Sequence, residues 1–189
     1  MKRLSALCLV LFATLAFAAN EPAQQTNPVV TLATTLGNIQ IELLAKEAPI
    51  STANFLSYVD NGFYNGVIFH RVIPNFMVQT GGYTTTLQEK PAHAPIKNEA
   101  ANGLHNTRGT LAMARTDDAD SATSQFFINT VDNVGLDHTA QNMGYAVFGH
   151  VISGMDVVDK ISAQPTGSVG FMQDVPRATI IITNASRNK

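Results

Sequence analysis

The sequence predicts a mainly β protein, a mostly antiparallel barrel whose open ends are covered by two helices. Three observations carry this. About eight short runs are rich in β-forming residues or alternate apolar with polar positions. Only two stretches, far apart in the chain, switch to the three- and four-residue apolar spacing of a helix. Strands and helices do not alternate in the βαβ manner that builds a parallel sheet.

Composition narrows the class. Of 189 residues, 45% are apolar and 14% charged, and the net charge is −2. That is ordinary for a globular chain and too apolar for a disordered one. There is no basic excess to displace counterions from phosphates, so general electrostatic binding of nucleic acid is excluded. The 13 glycines and 8 prolines are scattered, against collagen-like or low-complexity classes. No solenoid repeat is visible.

Residues 1–18 read as a secretory signal peptide. Met1-Lys2-Arg3 is cationic, and Leu4 to Ala16 carries no charge. Ala16-Phe17-Ala18 then puts small residues where cleavage after Ala18 needs them. The apolar run, ~15 residues, falls short of the ~20 that span a bilayer. Cys8, the one cysteine, lies inside it, so a mature chain from Ala19 would have no thiol for a disulfide or a lipid. Losing Lys2 and Arg3 moves the net charge from −2 to −4. The expected location is the periplasm, with secretion as the alternative and no stable membrane association after cleavage. No exposed apolar stripe demands a partner, and a monomer is expected.

Residues 19–28 form a polar lead-in, and 29–189 one domain. Val29–Leu36 and Asn38–Leu44 are β-rich runs joined at Gly37. In the second, Ile39, Ile41 and Leu43 alternate with Asn38, Gln40 and Glu42, so the pair reads as a hairpin. Pro49–Asp60 changes period: Pro49 suits a helix start, Ile50, Ala53, Phe55, Leu56 and Val59 make the apolar stripe, and Asn61-Gly62 is the stop. Further strands are expected at Val67–Ile73, Phe76–Thr80, Gly109–Arg115, Gln125–Asn129, Tyr145–Val151 and Ala178–Asn184. A second helix fits Met155–Ser162, with Val157, Val158 and Ile161 apolar.

Familiar catalytic strings are absent: the chain has no GxSxG, GxxxxGK[ST], HExxH or CxxC. Its five histidines, His70, His93, His105, His138 and His150, never fall at two- or four-residue spacing, so no metal site is expected. Asp117, Asp118 and Asp120 lack the pattern of a calcium loop and read as a solvated turn.

What stands out is Phe69-His70-Arg71-Val72-Ile73-Pro74-Asn75-Phe76-Met77-Val78-Gln79. An arginine in an otherwise apolar strand must face solvent, pair with an acid or line a cleft. Alternation puts Phe69, Arg71 and Ile73 on one face, Met77 and Gln79 on one face of the next strand, and Gln125 with Phe127 on a third. Periodicity alone allows a plainer account, in which Phe76, Met77, Phe126 and Phe127 are core and Arg71 a salt-bridged strand residue.

The strings FHRVIPNFMVQTGG (69–82), GTLAMAR (109–115), SQFFIN (124–129) and GYAVFGHVISGMDVVDKI (144–161) resemble the cyclophilins. The resemblance implies an eight-stranded antiparallel closed barrel capped by two α-helices, with cofactor-independent peptidyl-prolyl cis-trans isomerase activity on proline-containing segments of exported proteins. A short segment between Gly82 and Gly109, behind a leader, is similar to the bacterial periplasmic branch. Arg71 matches the catalytic arginine. Phe76, Met77, Phe127 and Leu136 match the proline pocket, and Gln79 the amide that contacts the substrate backbone. Ala114, Arg115 and Gln125 match the groove for the preceding residues. Tyr145 stands where eukaryotic members have a histidine, and Arg115 where they have asparagine, a change expected to be mild because the backbone makes the contact. Gly135 replaces a rim tryptophan or other aromatic that touches cyclosporin, so binding of that drug is expected to be weak. The competing reading is a non-catalytic module or chaperone on the same barrel.

Overall fold

The structure, a computed structural model, describes residues 26–188. The expected signal peptide and most of the lead-in lie outside them. In chain order the elements are β1 Val29–Thr34, β2 Gly37–Leu43, α1 Pro49–Asp60, β3 Val67–Ile68, β4 Arg71–Ile73, β5 Met77–Thr80, β6 Thr110–Met113, β7 Phe126–Asn129, β8 Val147–Ser153, α2 Met155–Ser162, β9 Thr166–Val169, β10 Met172–Pro176 and β11 Ile181–Arg187. Nine strands form one curled sheet in the order β3-β11-β1-β2-β8-β6-β7-β5-β4, and β9 with β10 makes a separate hairpin. Every ladder is antiparallel.

The expected eight-stranded closed barrel holds only approximately. The run Val67–Ile73 is two short strands, and counting them as one gives eight. The ring then closes through that run, with Ile68 opposite Ile181 on β11 and Ile73 opposite Met77 on β5. Between them, at Phe69 and His70, the ladder is interrupted. Local bonds satisfy the gap: Phe69 N–H donates to Ile180 O at 3.0 Å, Ile68 N–H to Tyr83 O at 3.0 Å, and Thr80 Oγ1 to Ile68 O at 2.8 Å. The kink also overturns an expected side-chain pattern. Phe69 does not share the face of Arg71; it turns into the main core, while Arg71 faces outward.

Both helices have the expected bounds, but α1 is rotated from its expected face. Ser51, Thr52, Phe55, Leu56 and Val59 are buried, while Ile50 and Ala53 are exposed. Phe55 sets this rotation, with its ring centroid 5.3 Å from Tyr64, 5.2 Å from Phe126 and 5.3 Å from Phe148. At the start of the helix Ala48 has no side chain to cap it. The carboxylate of Glu99 accepts from Ile50 N–H at 2.9 Å and from Ser51 N–H and Oγ at 2.7 Å each. At the other end Gly62 has φ +64°, the left-handed conformation that suits glycine.

The β9–β10 hairpin was not foreseen. Its residues show no apolar alternation and are mostly exposed or half-buried. Its importance is positional, because β10 packs beside β4.

Candidate active site

The site grows from one row of residues across the sheet. Arg71 on β4 is paired with Gln79 on β5, Gln79 with Phe127 on β7, Phe127 with Ala112 on β6, and Ala112 with Val147 on β8. Residues paired across strands put their side chains on the same face. The alternate positions, Val72, Val78, Phe126, Ile128, Leu111 and Phe148, turn inward to the main core. The outward row is not left to water. Met77, Ala112, Phe127 and Val147 make a second apolar cluster, with Ile73, Phe76, Ala114, Leu136 and Tyr145 against it. Strands apolar on both faces give the barrel its core and the site its floor.

Above that floor lies a hollow of about 380 Å³ lined by Arg71, Phe76, Met77, Gln79, Ala114, Arg115, Phe127, Leu136 and Tyr145. Of the ten residues expected from sequence, only Gln125 is absent from the wall, and it receives a hydrogen bond from Gln79 Nε2 at 2.9 Å. Gly82 makes room for it: a Cβ there would come within 2.7 Å of the Gln125 amide. Two other surface hollows, of about 420 and 470 Å³, are as large. Volume therefore does not single this one out; the meeting of a guanidinium with an apolar cluster does.

Each wall has a local cause. Phe76 follows the turn Ile73-Pro74-Asn75, closed by Phe76 N–H to Ile73 O at 3.2 Å, with Asn75 at φ +58°. Proline followed by asparagine suits a turn that needs positive φ at its third residue. Phe76 O then accepts from Thr130 N–H at 3.0 Å and from Asn133 Nδ2 at 2.8 Å. Leu136 sits in a 3₁₀ turn, and its carbonyl accepts from Tyr145 N–H at 2.9 Å. The next residue, Asp137, ties this loop to Asn106 and His105, accepting from Asn106 N–H at 2.7 Å and pairing with His105 Nδ1 at 2.8 Å. Burial pushes the Asp137 carboxyl up, but these bonds outweigh it and hold it below the usual range. Phe127 and Tyr145 meet edge to face at 5.7 Å.

The structure adds partners that sequence reasoning missed. Asp174, on the β9–β10 hairpin, faces Arg71 with Oδ2 3.8 Å from Nε, and both side chains are partly exposed. It adopts φ +58° beside a bulge in β10, and only that unforeseen hairpin brings it near Arg71. Arg115 lines the hollow, and its side chain is held there by three contacts. The guanidinium lies 4.6 Å from the Tyr145 ring centroid, with Nε donating to Gly144 O at 2.9 Å and Nη1 to Thr116 O at 2.8 Å. Gly135, next in sequence to Leu136, is exposed, with open space where a Cβ would point.

No group of three acidic, histidine or cysteine side chains able to hold a metal occurs among the described residues. His70 is buried, His93 stacks on Tyr58 at 4.4 Å, and His150 Nε2 faces Glu42 at 3.2 Å. Asp118 and Asp120 accept backbone N–H bonds in an exposed turn.

The family model described as cyclophilin type peptidyl-prolyl cis-trans isomerase matches residues 29–187. A peptidyl-prolyl cis-trans isomerase of Acinetobacter baylyi is 62% identical over 156 residues, covering 82% of this chain and 83% of its own. Peptidyl-prolyl cis-trans isomerase A of Dickeya dadantii is 51% identical over 184 residues, 97% of this chain and 96% of its own. Among solved structures, a Cryptosporidium parvum cyclophilin determined in the presence of the dipeptide Ala-Pro superposes with a TM-score of 0.71 at 25% identity, covering 85% of this chain and 99% of its own. The chain is a peptidyl-prolyl cis-trans isomerase and belongs to the cyclophilin family.

Proposed function

We propose that the hollow beside Arg71 is where this isomerase turns Xaa-Pro bonds, and that its clients are exported proteins. The Cryptosporidium structure with Ala-Pro supports a proline-containing peptide as the occupant. The leader sequence supports export. No helix among the described residues is long and apolar enough to cross a membrane.

Rotation about Xaa-Pro is opposed by ~20 kcal/mol of amide resonance. As the bond twists, the nitrogen lone pair leaves conjugation and becomes a hydrogen-bond acceptor. A guanidinium keeps its proton and presents donors in a fixed plane. Arg71 therefore binds the twisted imide more strongly than the planar one, which lowers the barrier. Phe76, Met77, Phe127 and Leu136 hold the proline ring, Tyr145 closes the wall, and Gln79 fixes the chain. Ala114, Arg115 and Gln125 hold the residues before proline. Substrate seated in the hollow strips water from Arg71 and strengthens its bond to the nitrogen. Rotation needs neither nucleophile nor cofactor.

The observation that carries this is Arg71 at the mouth of the outward apolar cluster. Arg71→Ala is expected to lower kcat/KM for a short Ala-Pro peptide by about a hundred-fold, with an unchanged circular dichroism spectrum. A near-normal rate in the folded variant would remove Arg71 from the mechanism.

A further inference from the structure

Two guanidinium groups line the hollow, and they are not in the same electrostatic state. Arg71 faces the Asp174 carboxylate at 3.8 Å. Arg115, like Arg177 outside this hollow's lining, forms no ion pair among the described residues, whereas Arg71, Arg108 and Arg187 each face a carboxylate. Its two hydrogen bonds go to neutral carbonyls, Gly144 O and Thr116 O, and its plane rests on the Tyr145 ring. These contacts fix the side chain without cancelling its charge. In the turn that follows, Asp118 and Asp120 spend carboxylate oxygens on backbone N–H groups, and neither bonds to Arg115. The other acid near the groove, Glu89, lies 3.5 Å from the Gln125 amide. A half-buried, oriented and unneutralised cation thus stands at the wall of the proline site, in a chain whose net charge is negative.

We infer that Arg115 is a specificity residue that favours client segments carrying an acidic side chain beside the proline. The inference rests on reading the hollow as the proline site, and it goes beyond that reading by naming the class of segment preferred. The chemistry is direct. A carboxylate entering the groove meets guanidinium donors already aligned by Tyr145 and Gly144, so little side-chain freedom remains to be lost. A lysine at the same place meets a like charge. An exposed pair of this kind changes affinity by about two- to five-fold. The preference weakens with salt, because the rim remains open to solvent.

The test compares end-blocked peptides Ala-Glu-Pro-Phe, Ala-Gln-Pro-Phe and Ala-Lys-Pro-Phe, and a second series with the variable residue after proline. Exchange spectroscopy gives kcat/KM for each. The Glu-to-Lys ratio within one protein is the readout, so a general change in activity cancels. In the wild type one series should favour Glu over Lys by several-fold at low salt and converge toward parity at high salt. Arg115→Gln should bring the ratio close to one, and Arg115→Lys should keep part of it. A ratio equal in wild type and Arg115→Gln in both series, or a wild type that favours Lys, overturns the proposal. If Arg115→Gln does not fold, the salt dependence of the wild-type ratio decides. Failure here leaves the Ala-Pro activity standing, whereas failure of the proline-site reading shows as a normal rate in Arg71→Ala.

Discussion

At the scale of single residues, the pair His70-Arg71 shows two outcomes for polar side chains in an apolar run. Arg71 emerges to the hollow, whereas His70 is 4% exposed and its Nδ1 has no hydrogen-bond partner among the described residues. Its ring packs 4.6 Å from Tyr83. Burial pulls the imidazole down to about 4, so it is neutral at pH 7. The unfolded chain titrates near the ordinary value of 6.5 and binds more protons through the interval between. Stability contributed by keeping His70 neutral is therefore present at neutral pH and lost as pH falls from about 6.5 to about 4. Over that window the loss from this residue is about 3 kcal/mol. Urea midpoints at pH 7 and pH 4 should show a smaller acid loss in His70→Phe than in the wild type, by about that amount. Equal losses would mean that His70 is not the group responsible.

At the scale of elements, local pattern was legible and remote contact was not. Both helix spans and the β1–β2 hairpin follow from period and turn chemistry within a few residues; alternation gave each of Arg71, Gln79 and Phe127 a face on its own strand, but only cross-strand pairing joins them in one outward row. The rotation of α1 does not, because it depends on Phe55 meeting rings from β7 and β8. The kink at Phe69-His70 depends on carbonyls of Tyr83 and Ile180 supplied by other segments. The β9–β10 hairpin has too little apolar alternation to be read, which kept Asp174 out of view until the fold placed it beside Arg71. The same distance hides the cap of α1. Glu99 lies 49 residues from Ile50 in sequence, and the gap before it gives no sign that its carboxylate will meet two helix N–H groups. Loss of a helix cap costs about 1–2 kcal/mol. Glu99→Ala should therefore melt several degrees below wild type while keeping its kcat/KM, since the contact lies outside the hollow. An unchanged melting temperature would show that Ser51 and water cap the helix equally well.

At the scale of the whole molecule, the ring brings the two ends of the described chain together. β1 pairs with β11 from Val30↔Arg187 to Thr34↔Ile182, and Asn188 N–H donates to Val29 O at 2.8 Å. Whatever precedes β1 is joined to a strand held on both sides, by β11 and β2. A leader removed after folding must therefore be cut without disturbing that strand. Ten residues, Ala19 to Pro28, separate the expected cleavage point from Val29. The mature domain would then enter an oxidising compartment with no cysteine, its one thiol, Cys8, having left with the leader. Its stability would then rest on the core and on a ring that closes only approximately. Full-length chain expressed in a bacterium should appear in the periplasmic fraction with its first residue at Ala19 by intact mass. The same material should melt at one temperature with or without dithiothreitol. Intact chain beginning at Met1 and confined to the cytoplasmic fraction would overturn the proposal that its clients are exported proteins.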